Sequence, residues 1–323
     1  MKRSLLLVCL QCLLQGIYAE EPPYHQDLNI LEIGVANDLF QGYTKSDKYY
    51  SASFQLAYSS QAFKTKWAPK ILLGNDEQKD WYGFSIRQEG YTPENLWQSS
   101  IDTSDHPYAG TLILDYWRKN AQLSPRWNFY SAISIGFSGE ESGAQETQTF
   151  IHKQTGSTLP QGWDNQIGTA IILQYALQSE YCIESKQSFL RTGFGGEANL
   201  GTFYNRISAF AHGQVSLWGT PGTNLDRRRT KHNKFECYLD LYMKGQYTIY
   251  DGSLQGGLWA LSDSPYTLSH NEYKHLIPVV SHALTLSYKG IKLSYTNVVE
   301  MDYLMRDDFF SYGAFDLIIT LLN

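Results

Sequence analysis

Alternation of apolar and polar side chains is the feature that most restricts how this chain can fold. In residues 31–37 (LEIGVAN) the large apolar side chains occupy odd positions, and small or polar side chains occupy even ones. Residues 50–58 and 82–86 repeat the alternation, with the apolar side chains on even positions. A period of two is typical of a β-strand that has one apolar face.

The composition indicates whether such apolar faces pack in a soluble core or contact a membrane. No stretch after residue 19 contains the roughly 18 consecutive apolar residues of a membrane-spanning helix, so the chain either is soluble or crosses a membrane as a barrel. Aromatic residues make up 15% of the chain, yet its mean hydropathy is negative. Barrels combine these properties because aromatic girdles flank the membrane while alternate side chains face a polar lumen. We therefore predict an all-β fold, a transmembrane antiparallel β-barrel with extracellular loops.

The strand pattern occurs about twelve times. We predict strands at residues 28–38, 49–59, 80–90, 108–118, 126–138, 166–180, 188–199, 203–217, 235–250, 272–288, 291–302 and 311–322. An even number of antiparallel strands closes a bacterial barrel without leaving an exposed edge. If both termini face the periplasm, the extracellular loops are 39–48, 91–107, 139–165, 251–271 and 303–310. On the periplasmic side, 60–79 and 218–234 are unusually long for turns.

Residues 1–19 have the layout of an export signal. Lys2 and Arg3 precede an apolar run, and Ala19 provides a small residue at a cleavage point. Residues 20–323 are predicted to form a single barrel domain, because no repeat, low-complexity tract or linker divides them. Loss of the two basic residues shifts the formal charge from −6 to −8. So acidic a chain is a poor partner for nucleic acid.

The predicted topology brings several polar side chains to one end of the barrel. Asn37 and Asp38 end the first strand, Ser51 begins the second, and His152 lies in the loop between the fifth and sixth. Together they are residue types from which hydrolytic sites are built. A neutral imidazole with an ordinary pKa of about 6.5 can take a proton from a water molecule that attacks an ester. The alternative for His152 is an exposed histidine in a polar loop.

Hydrolysis at this end would require an activated water. The chain has neither a G-x-S-x-G elbow nor an H-E-x-x-H zinc motif. Asp38 and Asn37 offer hard oxygen ligands, which suit Ca²⁺ better than Zn²⁺, although Asn-Asp is also a common turn pair. Asn37 shares the odd register of the apolar residues before it and therefore projects toward lipid, where an amide is costly unless covered. The alternative is that Asn37 lies above the membrane in headgroup water.

Six short motifs follow one another in the first half of the chain. They are Ala36-Asn37-Asp38, Asp47-Lys48-Tyr49-Tyr50-Ser51-Ala52, Tyr91-Thr92-Pro93, Asp105-His106-Pro107-Tyr108-Ala109-Gly110, Gln145-Glu146-x-Gln148-x-x-x-His152 and Gly162-Trp163-Asp164-Asn165-Gln166. Each motif alone has low specificity, but the ordered set resembles the outer-membrane lipid A 3-O-deacylase family. The second half of the chain is similar only in its barrel strands.

The resemblance implies a twelve-stranded barrel in the bacterial outer membrane, with its active site between the outside of the wall and a loop helix. It also implies Ca²⁺-dependent hydrolysis of the 3′-position ester of lipid A, in the lipopolysaccharide of the outer leaflet. By the same resemblance, His152 activates the water and Asp38 binds the metal. Asn37 positions the metal or the substrate, and Ser51 replaces a catalytic-site Thr or Ser. We expect the protein to act as a monomer.

The chain departs from the family pattern at three places. Thr158 stands where a family member has a glutamate, six residues after the histidine, and His106 replaces an arginine. No Lys or Arg lies between Tyr91 and Trp117, although the same member has there a lysine that would stabilise an oxyanion. Loss of a preorganised charge costs about 10²–10³ in rate. Two alternatives therefore stay open: a barrel phospholipase, and a non-catalytic barrel that binds lipopolysaccharide or forms a channel.

Overall fold

The computed structural model is one closed antiparallel barrel, and it describes residues 28–41, 49–75, 80–119, 127–183, 189–219, 235–304 and 308–322. Within these residues the twelve strands are β1 Leu28–Asn37, β2 Tyr49–Ser60, β3 Trp81–Thr92, β4 Ala109–Lys119, β5 Trp127–Ser138, β6 Ala170–Ile183, β7 Leu190–Gly201, β8 Tyr204–Trp218, β9 Glu236–Asp251, β10 Leu276–Tyr288, β11 Ile291–Met301 and β12 Phe309–Leu322. Each strand pairs with its neighbours in chain order, and β1 pairs with β12. The predicted barrel is confirmed, while the export signal lies outside the described residues.

Helices are short and confined to the connections between strands. They are α1 Ala68–Ile71, α2 Ala144–Thr155 and α3 Gly252–Gln255, with 3₁₀ turns at Asp38–Phe40, Gln61–Phe63, Glu140–Ser142, Trp163–Asn165 and His270–Glu272. Of the helices in the described residues, none is long and apolar enough to cross a membrane.

Side-chain alternation separates the two faces of the barrel wall. On β4 and β5 the outward-facing Leu114 and Ile135 are about half exposed, whereas the inward-facing Ile113 and Ala132 are buried. Other exposed apolar side chains on the outer face include Phe54, Leu56, Phe84, Ile86, Leu241, Met243, Leu284 and Leu293. An apolar outer band of this kind is suited to contact with lipid.

Buried side chains fill parts of the lumen. Near the end where the chain enters β1, the inward-facing Trp81 and Trp117 pack with Ile30, Ala132 and Ile318. Towards the other end, tyrosine rings surround an ion pair in which Arg206 and Asp251 approach to 2.5 Å. This packing places the core of the protein inside the barrel.

The two ends of the barrel differ in the length of their connections. Three long connections leave the end at which β1 finishes, at 93–108, 139–169 and 252–275. Because outer-membrane barrels have longer loops outside the cell than in the periplasm, this end is the extracellular one. At the opposite end, the connection after β2 is long, as predicted for 60–79, and residues 61–75 of it are described. The other long connection predicted there includes 220–234, which lies outside the described residues.

Residues 61–75, here called the strap, fold back against the outside of the wall at the periplasmic end. Ala68 and Leu72 of the strap are buried against Tyr82 and Tyr116 of the wall. Four wall side chains donate hydrogen bonds to strap carbonyls: Tyr116 to Phe63 (2.8 Å), Tyr175 to Ile71 (2.9 Å), Ser131 to Leu73 (2.8 Å) and Arg118 to Leu72 (2.9 Å). The strap is therefore part of the outer wall rather than a solvated turn.

A buried ion pair beneath the strap gives a first prediction. The Arg118 guanidinium lies 2.9 Å from the Asp80 carboxylate, and both side chains are almost fully buried. Arg118→Ala is expected to destabilise the barrel by about 3–5 kcal/mol, because it leaves a buried carboxylate without its partner. Urea unfolding in detergent measures this loss. The double variant Arg118→Met/Asp80→Leu is expected to regain most of the stability, and a single variant as stable as the wild type would contradict the prediction.

Two strands begin four residues later than predicted, whereas the other strand boundaries agree with the prediction within three residues. β6 begins at Ala170 rather than 166, since the backbone N–H groups of Gly168 and Thr169 bond instead to Ser264 and Ser262, each at 2.9 Å. β10 begins at Leu276 rather than 272, because a capped 3₁₀ turn occupies residues 270–272. In both places residues before the strand bond to a loop and not to the barrel: Gly168 and Thr169 bond to Ser264 and Ser262, and Tyr273 pairs with Leu304.

Candidate functional site

A β-bulge at the start of β2 turns Ser51 to the outside of the barrel. The register with β3 shifts between Tyr50 and Ala52, so Ser51 is an extra residue in the ladder. Tyr50, which the alternation grouped with the outward-facing Ala52, instead points into the lumen, where its ring centroid lies 4.5 Å from that of Tyr312. The Ser51 hydroxyl is hydrogen-bonded to the hydroxyl of Thr92, which has the outward register of β3. Bulges are known to re-aim side chains next to active sites.

Asn37 ends β1 in the outward register, as predicted, and its amide is covered. The Nδ2 group donates to the Ser51 carbonyl at 2.6 Å, and Oδ1 accepts from the Leu39 N–H at 2.8 Å. The side chain thereby caps the 3₁₀ turn that contains Asp38, which is 4% exposed. These bonds assign Asn37 a positioning role between β1 and the bulge.

The turn at Asp38–Phe40 is held against the outer face of β11 and β12. The Tyr295 hydroxyl donates to the Phe40 carbonyl at 2.7 Å. Gly313 is needed beneath the turn, because a Cβ at that position would lie 2.3 Å from the same carbonyl oxygen. Asp38 is therefore held on the membrane-facing side of the barrel at its extracellular end.

The segment that contains His152 is a helix where its residues alone predicted a loop. Ala144, Gln148 and His152 form the buried stripe of α2, and Ala144 lies against Gly90 and Gly110 on the outer faces of β3 and β4. Polar residues dominate the segment, so no apolar periodicity revealed the helix. Packing of this stripe on the wall stabilises it instead. A loop helix on the outside of the wall agrees with the expectation from the resemblance.

His152 is held in one orientation by the backbone. Its Nδ1 is hydrogen-bonded to the carbonyl oxygen of Thr158, and the side chain is 5% exposed. Because a carbonyl only accepts, Nδ1 carries the proton, and Nε2 of the neutral ring keeps its lone pair. The backbone carbonyl of Thr158, and not its side chain, therefore orients the ring.

Gln148 lies one helical turn before His152 and is also buried. Its Oε1 accepts a hydrogen bond from Trp163 Nε1 at 2.7 Å, which fixes the orientation of the amide because the indole only donates. Gln148 Nε2 has no hydrogen-bond partner among the described residues. Buried donors without partners are rare in folded proteins. This amide is therefore available to bind an oxygen atom on the His152 side of the helix.

His106 cannot replace the charge of the family's arginine. Its ring is 2% exposed and stacks on Tyr91, with 5.6 Å between the ring centroids, while Nδ1 donates to the Pro107 carbonyl at 2.5 Å. Burial lowers the pKa of His106 below its usual 6.5, partly offset by the hydrogen bond to Pro107. The ring is accordingly neutral at pH 7.

A pH dependence of stability follows from His106. Because its pKa is lower in the folded protein, the unfolded chain binds more protons as the pH falls below about 6.5. The stability contributed by the neutral ring is therefore complete above that pH and declines on acidification. Unfolding midpoints measured between pH 5 and 8 are expected to show a smaller decline for His106→Gln than for the wild type. An equal decline in both proteins would contradict this assignment.

The two predicted metal ligands at this end, Asp38 and Asn37, offer oxygen donors. The described residues contain no group of three or more His, Cys, Asp and Glu side chains that could hold a metal. Asp38 contributes a carboxylate, and Asn37 Oδ1 retains a second lone pair after accepting from Leu39. Carboxylate, amide and backbone carbonyl oxygens are the ligands that Ca²⁺ takes. The predicted ligands thus fit Ca²⁺ in chemical type.

The predicted residues all lie on one surface, the outside of the wall at its extracellular end. Asn37 contacts Ser51 directly, whereas His152 belongs to the helix that covers the neighbouring strands β3 and β4. Thr92 was not singled out from the sequence as a site residue. The prediction ended the third strand at residue 90 and placed Thr92 in the following loop, and its contact with Ser51 depends on the bulge.

Comparison with known proteins agrees with this architecture. The structure of LpxR from Salmonella typhimurium matches with a TM-score of 0.70 and 16% identity, covering 90% of this chain and 99% of that one. KdgM porin matches with a TM-score of only 0.38 and 5% identity, covering 90% and 99% of the respective chains. No curated protein sequence matches the chain.

A protein-family model provides the stronger assignment, because the structural match at 16% identity shows the fold alone. The model described as "Outer membrane protein LpxR" matches residues 5–321, nearly the whole chain. The resemblance found in the sequence motifs is thereby confirmed, as is location in the bacterial outer membrane. The chain belongs to the LpxR family of outer membrane proteins.

Proposed function

We propose that this protein hydrolyses the 3′-position acyl ester of lipid A in the outer leaflet, with a water molecule activated by His152 and with the assistance of Ca²⁺. The main support for the proposal is the hydrogen bond that fixes the tautomer of His152. Its Nδ1 proton is held by a backbone carbonyl, which leaves Nε2 free to accept a proton. Membership of the LpxR family supports a lipid A substrate in general.

The position of the site suits a lipid substrate. Asn37, Ser51, Thr92 and α2 all lie on the outer face of the wall at its extracellular end, where outer-leaflet lipids meet the protein from the side. A substrate that diffuses in the membrane reaches this surface without leaving the bilayer. Filling of the lumen by tyrosine rings and the Arg206–Asp251 ion pair disfavours the alternative of an open channel.

In this proposal, His152 Nε2 takes the proton of the water whose oxygen attacks the ester carbonyl. The Thr158 carbonyl stabilises the resulting imidazolium through the Nδ1 hydrogen bond. The protonated ring then returns its proton to the sugar oxygen as the acyl chain leaves. The water oxygen thus ends in the released carboxylic acid, and a proton from the water ends on the sugar hydroxyl.

Asp38 and Asn37 are the proposed ligands of Ca²⁺. When bound, this ion supplies a positive charge that polarises an ester carbonyl and stabilises its oxyanion. Asn37 also holds the Ser51 carbonyl and the Asp38 turn in place. Ser51 and Thr92 form a buried pair of hydroxyls next to Asn37, and their proposed role is to hold the bulge of β2 in place.

Gln148 is proposed to take part of the role of the missing lysine. Its unpartnered Nε2 can donate to the developing oxyanion, a contribution worth about 10²–10³ in kcat. Gln148→Leu is expected to lower kcat by about 100-fold with little change in KM. Trp163→Phe keeps the amide but removes the indole donor that orients it, and is expected to lower kcat less than Gln148→Leu does. A Gln148→Leu enzyme with wild-type kcat would contradict the role.

The proposed reaction is tested directly with the purified full-length protein in detergent. Incubation with lipid A and Ca²⁺ is expected to release the 3′-linked acyloxyacyl chain, detected by mass spectrometry. A parallel incubation with phospholipid tests the phospholipase alternative. Cleavage of the phospholipid, together with intact lipid A, would establish that alternative. If neither lipid is cleaved, the non-catalytic alternative holds.

We also propose that the functional unit is the monomer. All twelve strands needed for closure come from one chain, and β1 pairs with β12 over ten residues. The barrel therefore needs no second copy to satisfy its strand edges. Light scattering of the detergent-solubilised protein tests this proposal.

A further inference from the structure

The strap at the periplasmic end carries a concentration of positive charge. Lys64, Lys66 and Lys70 are exposed, and the next acidic residues along the chain, Asp76 and Glu77, lie outside the described residues. The strap also exposes three large apolar side chains, Trp67 between the lysines and Ile71 and Leu73 after Lys70. Tryptophan and lysine together are typical of segments that lie at a membrane interface, where the ring rests at headgroup level and the ammonium reaches the phosphates.

An apolar groove on the outer wall adjoins the strap. It crosses the wall from β3 to β7, encloses about 520 Å³, and is lined chiefly by apolar and aromatic side chains that include Phe84, Leu114, Ile135, Leu173 and Leu200. The groove faces the membrane, because Leu114 and Ile135 belong to the exposed outer band. Its shape and lining suit a hydrocarbon chain.

Two tyrosines join the groove to the strap. The rings of Tyr116 and Tyr175 line the groove, while their hydroxyls donate to the carbonyls of Phe63 and Ile71 in the strap. The lysine-bearing segment and the apolar groove are therefore parts of one continuous surface. This surface has positive charge at the periplasmic end and hydrocarbon character towards the membrane interior.

We propose that the strap and the groove bind one anionic phospholipid of the periplasmic leaflet. Its phosphate lies against Lys64, Lys66 and Lys70, and one of its acyl chains occupies the groove. Each lysine near an anionic headgroup contributes a favourable electrostatic interaction, and the chain removes apolar wall surface from contact with mobile lipid. Binding of this lipid holds the strap against the wall.

The distribution of charge selects this occupant over a lipopolysaccharide of the opposite leaflet. A lipid entering from the extracellular end would place its phosphates near the other end of the groove, by Leu200 and the tops of β6 and β7. The exposed side chains described there include the apolar Trp259 and Leu261. The three lysines lie at the strap end, where a periplasmic-leaflet phosphate is located.

Native mass spectrometry of the full-length protein tests the proposal. The protein in detergent is mixed with equimolar phosphatidylglycerol and phosphatidylcholine, and retained lipids are counted. The wild type is expected to retain one phosphatidylglycerol in preference to phosphatidylcholine. The variant Lys64→Gln/Lys66→Gln/Lys70→Gln is expected to bind phosphatidylglycerol at least about tenfold more weakly, with phosphatidylcholine unchanged.

Two further variants separate the charge from the groove. Lys289→Gln removes a lysine at the same end of the barrel, in the turn between β10 and β11, and is expected to keep the wild-type preference. Leu114→Trp fills the groove and is expected to weaken retention of both lipids equally. The proposal is overturned by equal retention of the two lipids in the wild type, by an unchanged preference in the triple variant, or by unchanged retention in Leu114→Trp.

The lipid site and the proposed hydrolysis are independent of one another. The strap lies at the periplasmic end, whereas Asn37, Ser51 and His152 lie at the extracellular end. The triple lysine variant is expected to cleave lipid A at the wild-type rate in the assay described above. If lipid A is not cleaved, the phospholipid-binding experiment can still be interpreted. If phospholipid binding fails, the lipid A assay can still be interpreted.

Discussion

Replacement of His152 by alanine is expected to reduce kcat for lipid A hydrolysis by about 10²–10⁴, the usual contribution of a positioned base. The reason is the loss of the only group on α2 whose lone pair is held ready for a proton, since the Thr158 carbonyl fixes the Nδ1 tautomer. The measurement is the rate of 3′-chain release under saturating lipid A. KM is expected to change little.

Two controls make the His152 result specific. His270→Ala removes a histidine from a loop at the same end of the barrel and is expected to keep the wild-type rate. Thr158→Ala is also expected to keep activity within about twofold, because the backbone carbonyl and not the side chain orients the imidazole. Full activity in His152→Ala would refute the proposed base. A large loss in Thr158→Ala would show that the threonine side chain itself is needed.

Replacement of Asp38 by asparagine is expected to abolish the effect of Ca²⁺ on both stability and activity. The change preserves the shape of the buried turn but removes the carboxylate that we propose as the metal ligand. In the wild type, Ca²⁺ at about 100 times its dissociation constant is expected to raise the free energy of unfolding by about 2.7 kcal/mol. In Asp38→Asn the same addition is expected to have no effect, and chain release is expected to fall by at least about 100-fold.

Asp263→Asn is the matched control for Asp38. It removes an exposed carboxylate from another loop at the extracellular end, so both the response to Ca²⁺ and the activity should remain. A wild-type protein whose unfolding is insensitive to Ca²⁺, and whose activity persists in a chelator, would refute the metal site. The proposed role of His152 would stand, because it rests on a separate hydrogen bond.

Strand positions and side-chain directions were predictable from the chain alone. Each strand must satisfy its backbone through neighbours and show one face to lipid, and both requirements are local enough to be visible as a period of two. The outward register of Asn37 follows from that period and is confirmed. Position alone did not reveal that Ser51 shares this face, because strict alternation from the outward-facing Ala52 would have turned it inward.

The conformations of the helix α2 and the strap were not predictable from the chain alone. Neither has an apolar period of its own, and both are held by the outer wall: Ala144 lies on Gly90 and Gly110, while the strap accepts hydrogen bonds from wall side chains. The residues that make these contacts are distant in sequence. Such segments take their conformation from the surface on which they pack, so local propensity does not predict them.

The barrel, its strand order and the end at which the candidate residues gather are encoded in local patterns of the chain. Alternation along each strand and the order of the connections are sufficient to predict those features. Long-range packing sets which groups bond to His152, how the bulge turns Ser51 outward, and where the strap lies. These depend on contacts between segments far apart in the chain, and the position of a backbone carbonyl such as that of Thr158 is set by folding rather than by residue type.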